Sequence, residues 1–196
     1  MRRYAQIELL FKKSGGIMTT KELNRKGISH YYIKRMLDKN LIESLKRGIY
    51  KLSDYDIDES IEVSSMIPNG VFCLFSSASI HELTTNIPFK YHVAIPKKNK
   101  VRLPSYPPVQ LYYWDTSLYS LGIEEITKND NEIQVYDLEK TVCDFLKYRN
   151  KVGFDTAKEV FKTYLNRSDR NIDKLVKYSK KLRVHSTIDQ FLKILI

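Results

Sequence analysis

Within residues 4–52 the apolar side chains fall into three helical stripes and two short runs, and glycines separate them. Ile7, Leu10 and Phe11 stand at i, i+3 and i+4, the spacing of one helix face. Ser14-Gly15-Gly16 breaks that helix. Thr19 or Thr20 caps a short second helix over 21–25 that turns Leu23 inward, and Glu22 lies three residues after Thr19, as a capping box requires. Gly27 stands where the end of that helix needs a left-handed residue. Ser29 caps a third helix running to about Lys39, with Ile33, Met36 and Leu37 as its buried stripe. Leu41-Ile42 and Ile49-Tyr50-Lys51-Leu52 read as two short strands joined by a Lys46-Arg47-Gly48 turn. Helix, helix, tight turn, helix, hairpin is the order of a winged helix-turn-helix.

The charge follows the same division. Residues 1–53 hold 13 Lys/Arg and 4 Asp/Glu, a net of +9, whereas residues 54–196 hold 20 and 19, a net of +1. Excess cation gathered on one small domain suits a partner of dense negative charge, nucleic acid or an anionic membrane. A membrane surface fits less well, because no long Trp/Phe/Leu face opposes the basic residues. No apolar run approaches the ~20 residues needed to span a bilayer, and Arg2 and Arg3 open a segment without the apolar stretch of a signal peptide. A cytoplasmic location is the expectation.

The acidic stretch Asp54, Asp56, Asp58, Glu59 reverses the charge and marks a boundary. The expected layout is a DNA-binding domain over 1–53, a linker over 54–59 and a larger domain over 60–196. The larger part opens with a helix over 58–66, followed by an apolar run at 71–75 and a serine-rich helix at 76–83. Strands are expected at 91–95, 110–114, 123–126 and 133–136, then helices at 138–148, 154–165, 171–182 and 186–195. The fold class is α+β: an N-terminal winged helix-turn-helix, then a mixed α/β domain ending in a helical bundle.

A recognition helix enters a major groove about 12 Å wide and presents polar side chains to base edges. Ser29, His30, Tyr31, Lys34, Arg35, Asp38 and Lys39 face away from the stripe, with Tyr32 at its edge. Ser29, His30, Tyr31 and Lys34 lie in the N-terminal half, which contacts bases in such motifs. Arg35 and Lys39 are better placed for phosphates, and amides near Ser29 add another phosphate contact. Lys46 and Arg47 put two cations on the hairpin turn, and Arg47 suits a narrow, negative minor groove. Lys12, Lys13, Lys21, Arg25 and Lys26 flank the backbone.

Chemistry elsewhere is weakly signalled. Cys73 and Cys143 lie in apolar runs without a CxxC, which points to two reduced core thiols. His30, His81, His92 and His185 lack metal-ligand spacing, and no glycine-rich phosphate loop occurs. Neither a metal nor a cofactor is expected. Ser76, Ser77 and Ser79 near His81 lack the nucleophile-elbow pattern and read as helix-capping serines. Asp137, Glu139 and Lys140 have the residue types of a metal-dependent nuclease, yet sit at a helix start, where carboxylates are favoured by the helix dipole. Lys97, Lys98, Lys100 and Arg102 form a second basic cluster, either another nucleic-acid contact or a solvated loop. Tyr112, Tyr113 and Trp114 read as strand packing rather than a base-stacking platform.

Three blocks carry a family resemblance. They are Arg47-Gly48-Ile49-Tyr50-Lys51-Leu52 closing the winged helix, Phe75-Ser76-Ser77-Ala78-Ser79-Ile80-His81-Glu82-Leu83 with Tyr91-His92-Val93-Ala94-Ile95-Pro96, and Val135-Tyr136-Asp137-Leu138-Glu139-Lys140-Thr141-Val142-Cys143-Asp144. In that order the chain resembles the antitoxin component of the abortive-infection E phage-defence systems, which are type IV toxin–antitoxin modules. The resemblance covers about residues 1–146. It implies a non-enzymatic autorepressor that binds inverted repeats in its own promoter. It also implies a second domain that counters a nucleotidyltransferase-like toxin without a stable complex. A DNA-targeting nuclease and a winged-helix protein-interaction module are the alternatives.

Overall fold

The first helix, α1 (Arg2–Lys13), stops where Gly15 and Gly16 adopt φ of 67° and 85°. The Gly16 amide then closes on the Phe11 carbonyl at 2.8 Å. The computed structural model describes residues 2–129 and 131–195, an α+β chain. After the glycines comes a strand that the sequence pattern does not reveal, β1 (Ile17–Thr19). Three residues carry too little periodicity to register, yet they pair antiparallel with β3 (Ile49–Leu52), Met18 opposite Tyr50. Between them lie α2 (Thr20–Arg25), α3 (His30–Asp38) and β2 (Ile42–Lys46). The sheet order is β1-β3-β2. Ile7, Phe11, Leu23, Ile33 and Met36 from the three helices close over this sheet and are fully buried. Leu37, expected in the same stripe, is only half-buried at its edge.

The chain folds into two compact units. The first comprises Met1–Pro68, Val101–Pro107 and Ile126–Ile133, and the second Asn69–Lys100, Pro108–Glu125 and Gln134–Ile196. The expected division at residue 53 therefore moves to Pro68. The reason is α4 (Glu59–Met66), which packs on β2. Lys51 Nζ sits 2.9 Å from Glu62 Oε1, and Lys46 Nζ donates to the Met66 carbonyl at 3.1 Å. Two later segments join the same unit through polar contacts. The Tyr106 hydroxyl donates to the Glu59 carboxylate, Lys128 pairs with Asp58 at 2.7 Å, and Asn131 donates to the Gly15 carbonyl at 3.2 Å.

The second unit holds β4 (Val71–Phe72), α5 (Leu74–Ile80), β5 (Tyr91–Pro96), β6 (Val109–Trp114), α6 (Thr116–Tyr119), β7 (Ile123–Lys128) and β8 (Asn131–Tyr136). The far ends of β7 and β8 belong to the first unit. The helices α7 (Leu138–Lys147), α8 (Arg149–Val152), α9 (Phe154–Leu165), α10 (Ile172–Leu182) and α11 (His185–Leu195) follow. The strands lie in the order β6-β5-β4-β8-β7, with β5 parallel to β6 and β4 parallel to β8. Every residue from Glu139 to Leu146 is buried, because α7 packs against α5, α9 and α10 at once. A helix enclosed on all sides must bury whatever polar groups it carries. Helix α5 starts at Leu74 rather than at Ser76, so its serines lie inside the helix instead of capping it. Ser77 Oγ donates to the Leu74 carbonyl at 2.9 Å, and Ser76 Oγ accepts the His92 amide at 2.8 Å. Both cysteines are free and buried.

His92 stacks on Tyr112 at a ring separation of 5.5 Å, and the Tyr112 hydroxyl is hydrogen-bonded to its Nδ1 at 2.9 Å. Burial, with Lys90 nearby, pushes the imidazole down to about 4. A histidine depressed in this way favours the fold while neutral. Its contribution is complete above the unfolded value of about 6.5 and is lost as pH falls through that value toward 4. The urea midpoint should therefore fall across that window, and His92→Asn, which keeps an acceptor near Tyr112, should flatten the decline. Equal pH slopes for the two proteins would contradict this assignment.

Candidate nucleic-acid interface

The turn between α2 and α3 is fixed by backbone geometry. Gly27 adopts φ 73°, its amide closes on the Asn24 carbonyl at 3.0 Å, and the Ile28 amide closes on the Leu23 carbonyl at 2.9 Å. This pair of bonds, with Leu23 and Ile28 both buried beside it, is the Schellman ending of a helix. Four residues thus separate α2 from α3, as a helix-turn-helix requires. At the start of α2 the capping box is complete: Thr19 Oγ1 accepts the Glu22 amide at 3.2 Å, and the Glu22 carboxylate accepts the Thr19 amide at 2.7 Å. Helix α3 ends in the same Schellman pattern as α2, here with Asn40 at φ 53° and the Leu41 amide on the Met36 carbonyl at 2.9 Å.

The buried side of α3 is Ile33 and Met36. Ser29, His30, Tyr31, Lys34, Arg35 and Lys39 are all exposed, as are Lys21, Arg25 and Lys26 beside the turn. Ser29 takes the N-cap position in extended backbone, but its hydroxyl makes no capping bond. Arg35 donates from Nε to the Tyr31 hydroxyl at 3.3 Å, and its guanidinium lies 5.6 Å from the Tyr31 ring centre. The hairpin turn is Arg47-Gly48, with Gly48 at φ 82°. Its carbonyl accepts the Thr20 amide at 2.8 Å and the Thr20 hydroxyl at 3.3 Å, which fastens the turn to the start of α2. Arg47 is exposed there.

Three further expected cations lie on other elements. Lys46 ends β2 instead of belonging to the turn. It is half-buried, and its ammonium is held by the Met66 carbonyl, because α4 covers that edge of the sheet. Lys12 and Lys13 close α1, where cations suit the negative end of the helix dipole. Among the described residues no hydrogen bond or ion pair ties them to α2, α3 or the hairpin.

Sequence reasoning missed a cluster of rings and cations joining α1 to α3. Tyr4 meets Tyr32 edge-on at 6.4 Å, and Tyr32 meets Tyr31 edge-on at 5.5 Å. Arg3 lies over Tyr32 at 5.7 Å and Lys39 over Tyr4 at 5.8 Å. Residues so far apart in sequence give no local signal that they will meet.

The second unit contains a polar cleft of about 400 Å³, lined by His81, Glu124, Asp137, Glu139, Arg167 and Lys174 among others. Its two buried carboxylates are each held by three groups. Asp137 accepts from the Lys140 amide at 2.8 Å and the Tyr178 hydroxyl at 3.1 Å, and Glu139 from the Tyr164 hydroxyl at 3.1 Å and the Asn171 amide at 3.0 Å. Lys174 bridges both acids at 3.1 and 3.3 Å. The network ties α7 to α9 and α10. Lys140 takes no part through its side chain, because its ammonium pairs with Asp144 at 2.6 Å. Among the described residues no group of three or more His, Cys, Asp or Glu is placed to hold a metal ion. In the other basic cluster Lys98, Lys100 and Arg102 are exposed, and Lys97 pairs with Asp115 at 3.5 Å. Tyr112 and Trp114 pack inward, whereas Tyr113 is exposed.

Among the described residues no helix is long and apolar enough to cross a membrane. Residues 5–52 match a family described as transcriptional regulator, AbiEi antitoxin. The matched stretch runs from within α1 to the end of β3, the helix-turn-helix region and its hairpin. No curated protein matches the chain.

Proposed function

We propose, from a stretch over residues 5–52 that belongs to the AbiEi antitoxin family of transcriptional regulators, that the first unit binds duplex DNA as a winged helix-turn-helix. Helix α3 enters the major groove, and the β2–β3 hairpin is the wing that carries Arg47 to the adjacent minor groove. The observation that carries this reading is the outer side of α3. Hydrogen-bonding groups and cations from Ser29 to Lys39 stand exposed there, behind a turn fixed by Gly27. Lys21, Arg25 and Lys26 contact phosphates on either side. The chain acts in the cytoplasm as an autorepressor at inverted repeats in its own promoter. It is also an antitoxin, whose second unit counters a nucleotidyltransferase-like toxin without a stable complex. The nuclease reading is less well supported, since Asp137 and Glu139 are held by helix-tying bonds and Lys140 is paired with Asp144.

The test is a fluorescence-anisotropy titration of the full chain with the duplex upstream of its own gene. With roughly six phosphates neutralised, log affinity should fall with log salt at a slope of about −5. Arg47→Ala should weaken binding roughly 5- to 150-fold, the range for one well-placed arginine, and should relieve repression of a promoter–reporter fusion. The same variant should still rescue growth when expressed with the neighbouring toxin gene. Unchanged affinity in Arg47→Ala would remove the hairpin from the interface, and loss of rescue in a folded Arg47→Ala chain would contradict the division of labour. Point substitution is preferable to deleting residues 1–53, because α4 and β2 share contacts across that cut.

A further inference from the structure

We infer that Arg35 reads a guanine base and does not serve as a phosphate contact, with Tyr31 as the residue that positions it. This rests on the duplex-binding reading of α3. A free arginine on a helix surface samples many rotamers, and ordering it costs side-chain entropy. Here that ordering is built into the helix. Tyr31 and Arg35 are one turn apart, Arg35 Nε donates to the Tyr31 hydroxyl at 3.3 Å, and the guanidinium lies over the ring at 5.6 Å. Tyr31 is itself braced edge-on by Tyr32, and Tyr32 by Tyr4 of α1. Tyr31 is 59% exposed, so the pair stands at the surface instead of filling the core.

The bonding pattern selects the chemistry. With Nε engaged, the two terminal amino groups of the guanidinium remain as a planar fork. That fork matches the O6 and N7 acceptors that guanine presents in the major groove. A phosphate can also accept the fork, but its oxygens accept from many directions, so holding the plane in place gains less there than at the fixed O6 and N7 edge of guanine. Among the described residues Arg35 has no carboxylate partner within ion-pair distance, although Asp38 lies one turn of chain away.

The experiment selects preferred sequences from a randomised duplex pool with the full wild-type chain, then measures affinity for every single-base change of the selected site. Arg35→Ala should lose the preference at one G·C pair per half-site, roughly 5- to 150-fold, and keep the preference at other positions. Placing 7-deazaguanine at that pair should weaken the wild type and leave Arg35→Ala unaffected. Tyr31→Phe, which keeps the ring and removes the acceptor, should reduce the same preference a few-fold and no other. A uniform loss across all sequences in Arg35→Ala, with the salt slope shallower by about 1, would overturn the inference and make Arg35 a phosphate contact. Tyr31→Phe with an unchanged base profile would overturn the positioning role. A wild type that binds no duplex would instead sink the DNA-binding reading beneath it.

Discussion

Lys140→Ala should destabilise the second unit by about 3–5 kcal/mol, the cost of stranding a buried carboxylate without its cation. Lys140 and Asp144 are 0% and 1% exposed, one turn apart on α7, with 2.6 Å between Nζ and Oδ2. The ammonium also lies 4.1 Å from the Trp114 ring centre and 4.3 Å from that of Tyr136, so it sits between two aromatic faces. Burial pushes the Asp144 carboxyl up, and Lys140 pulls it back. Without Lys140 the neutral acid is favoured still more. A carboxyl raised in the folded state loses stability as pH rises through its folded value. The defect should therefore be smaller at acidic pH than at pH 8. Lys140→Met combined with Asp144→Val removes both charges and should recover most of the loss. Urea midpoints decide the matter: a loss under about 1 kcal/mol in Lys140→Ala, or no recovery in the pair, would contradict this account.

Leu23→Ala should cost about 2–5 kcal/mol, because the side chain is fully buried and is the buried residue of the six-residue helix α2. Leu23 packs with Ile28 and Ile33 in the core of the first unit, and its carbonyl accepts the Ile28 amide that closes the helix-turn-helix bend. A cavity there loosens the spacing of α2 and α3 before it touches any exposed cation. Duplex affinity should fall with the folded fraction and recover in a stabilising osmolyte such as sucrose. An affinity that stays low in sucrose while the unit is folded would mean that Leu23 affects the interface by a route other than stability.

What the sequence disclosed and what it concealed follow from the range of the interactions involved. Capping by Thr19 and Glu22, the bend at Gly27 and the buried side of α3 depend on neighbours a few residues apart, and their pattern is visible in the chain. Strand β1 depends on pairing with β3 more than thirty residues later, and its three residues carry no periodic signal. Lys46 reads as a cation at a turn until α4 arrives to bind it. The ring cluster of Tyr4, Tyr31 and Tyr32 and the discontinuous first unit are equally non-local. At the start of α7, Asp137, Glu139 and Lys140 read either as nuclease residue types or as carboxylates favoured by the helix dipole. Packing by three other helices buries them instead, with Asp137 and Glu139 held by Lys174, and Lys140 paired with Asp144.

Lysine acetylation footprinting with and without the promoter duplex tests most directly which surface meets DNA. Lys21, Lys26 and Lys34 in the first unit are exposed, as are Lys177 and Lys181 on α10, so all five should react in the free chain. With duplex bound, Lys34 should be strongly protected, Lys21 and Lys26 partly so, and Lys177 and Lys181 should react as before. Equal reactivity of Lys34 in the bound and free states, with protection on α10 instead, would contradict the claim that α3 is the element presented to DNA.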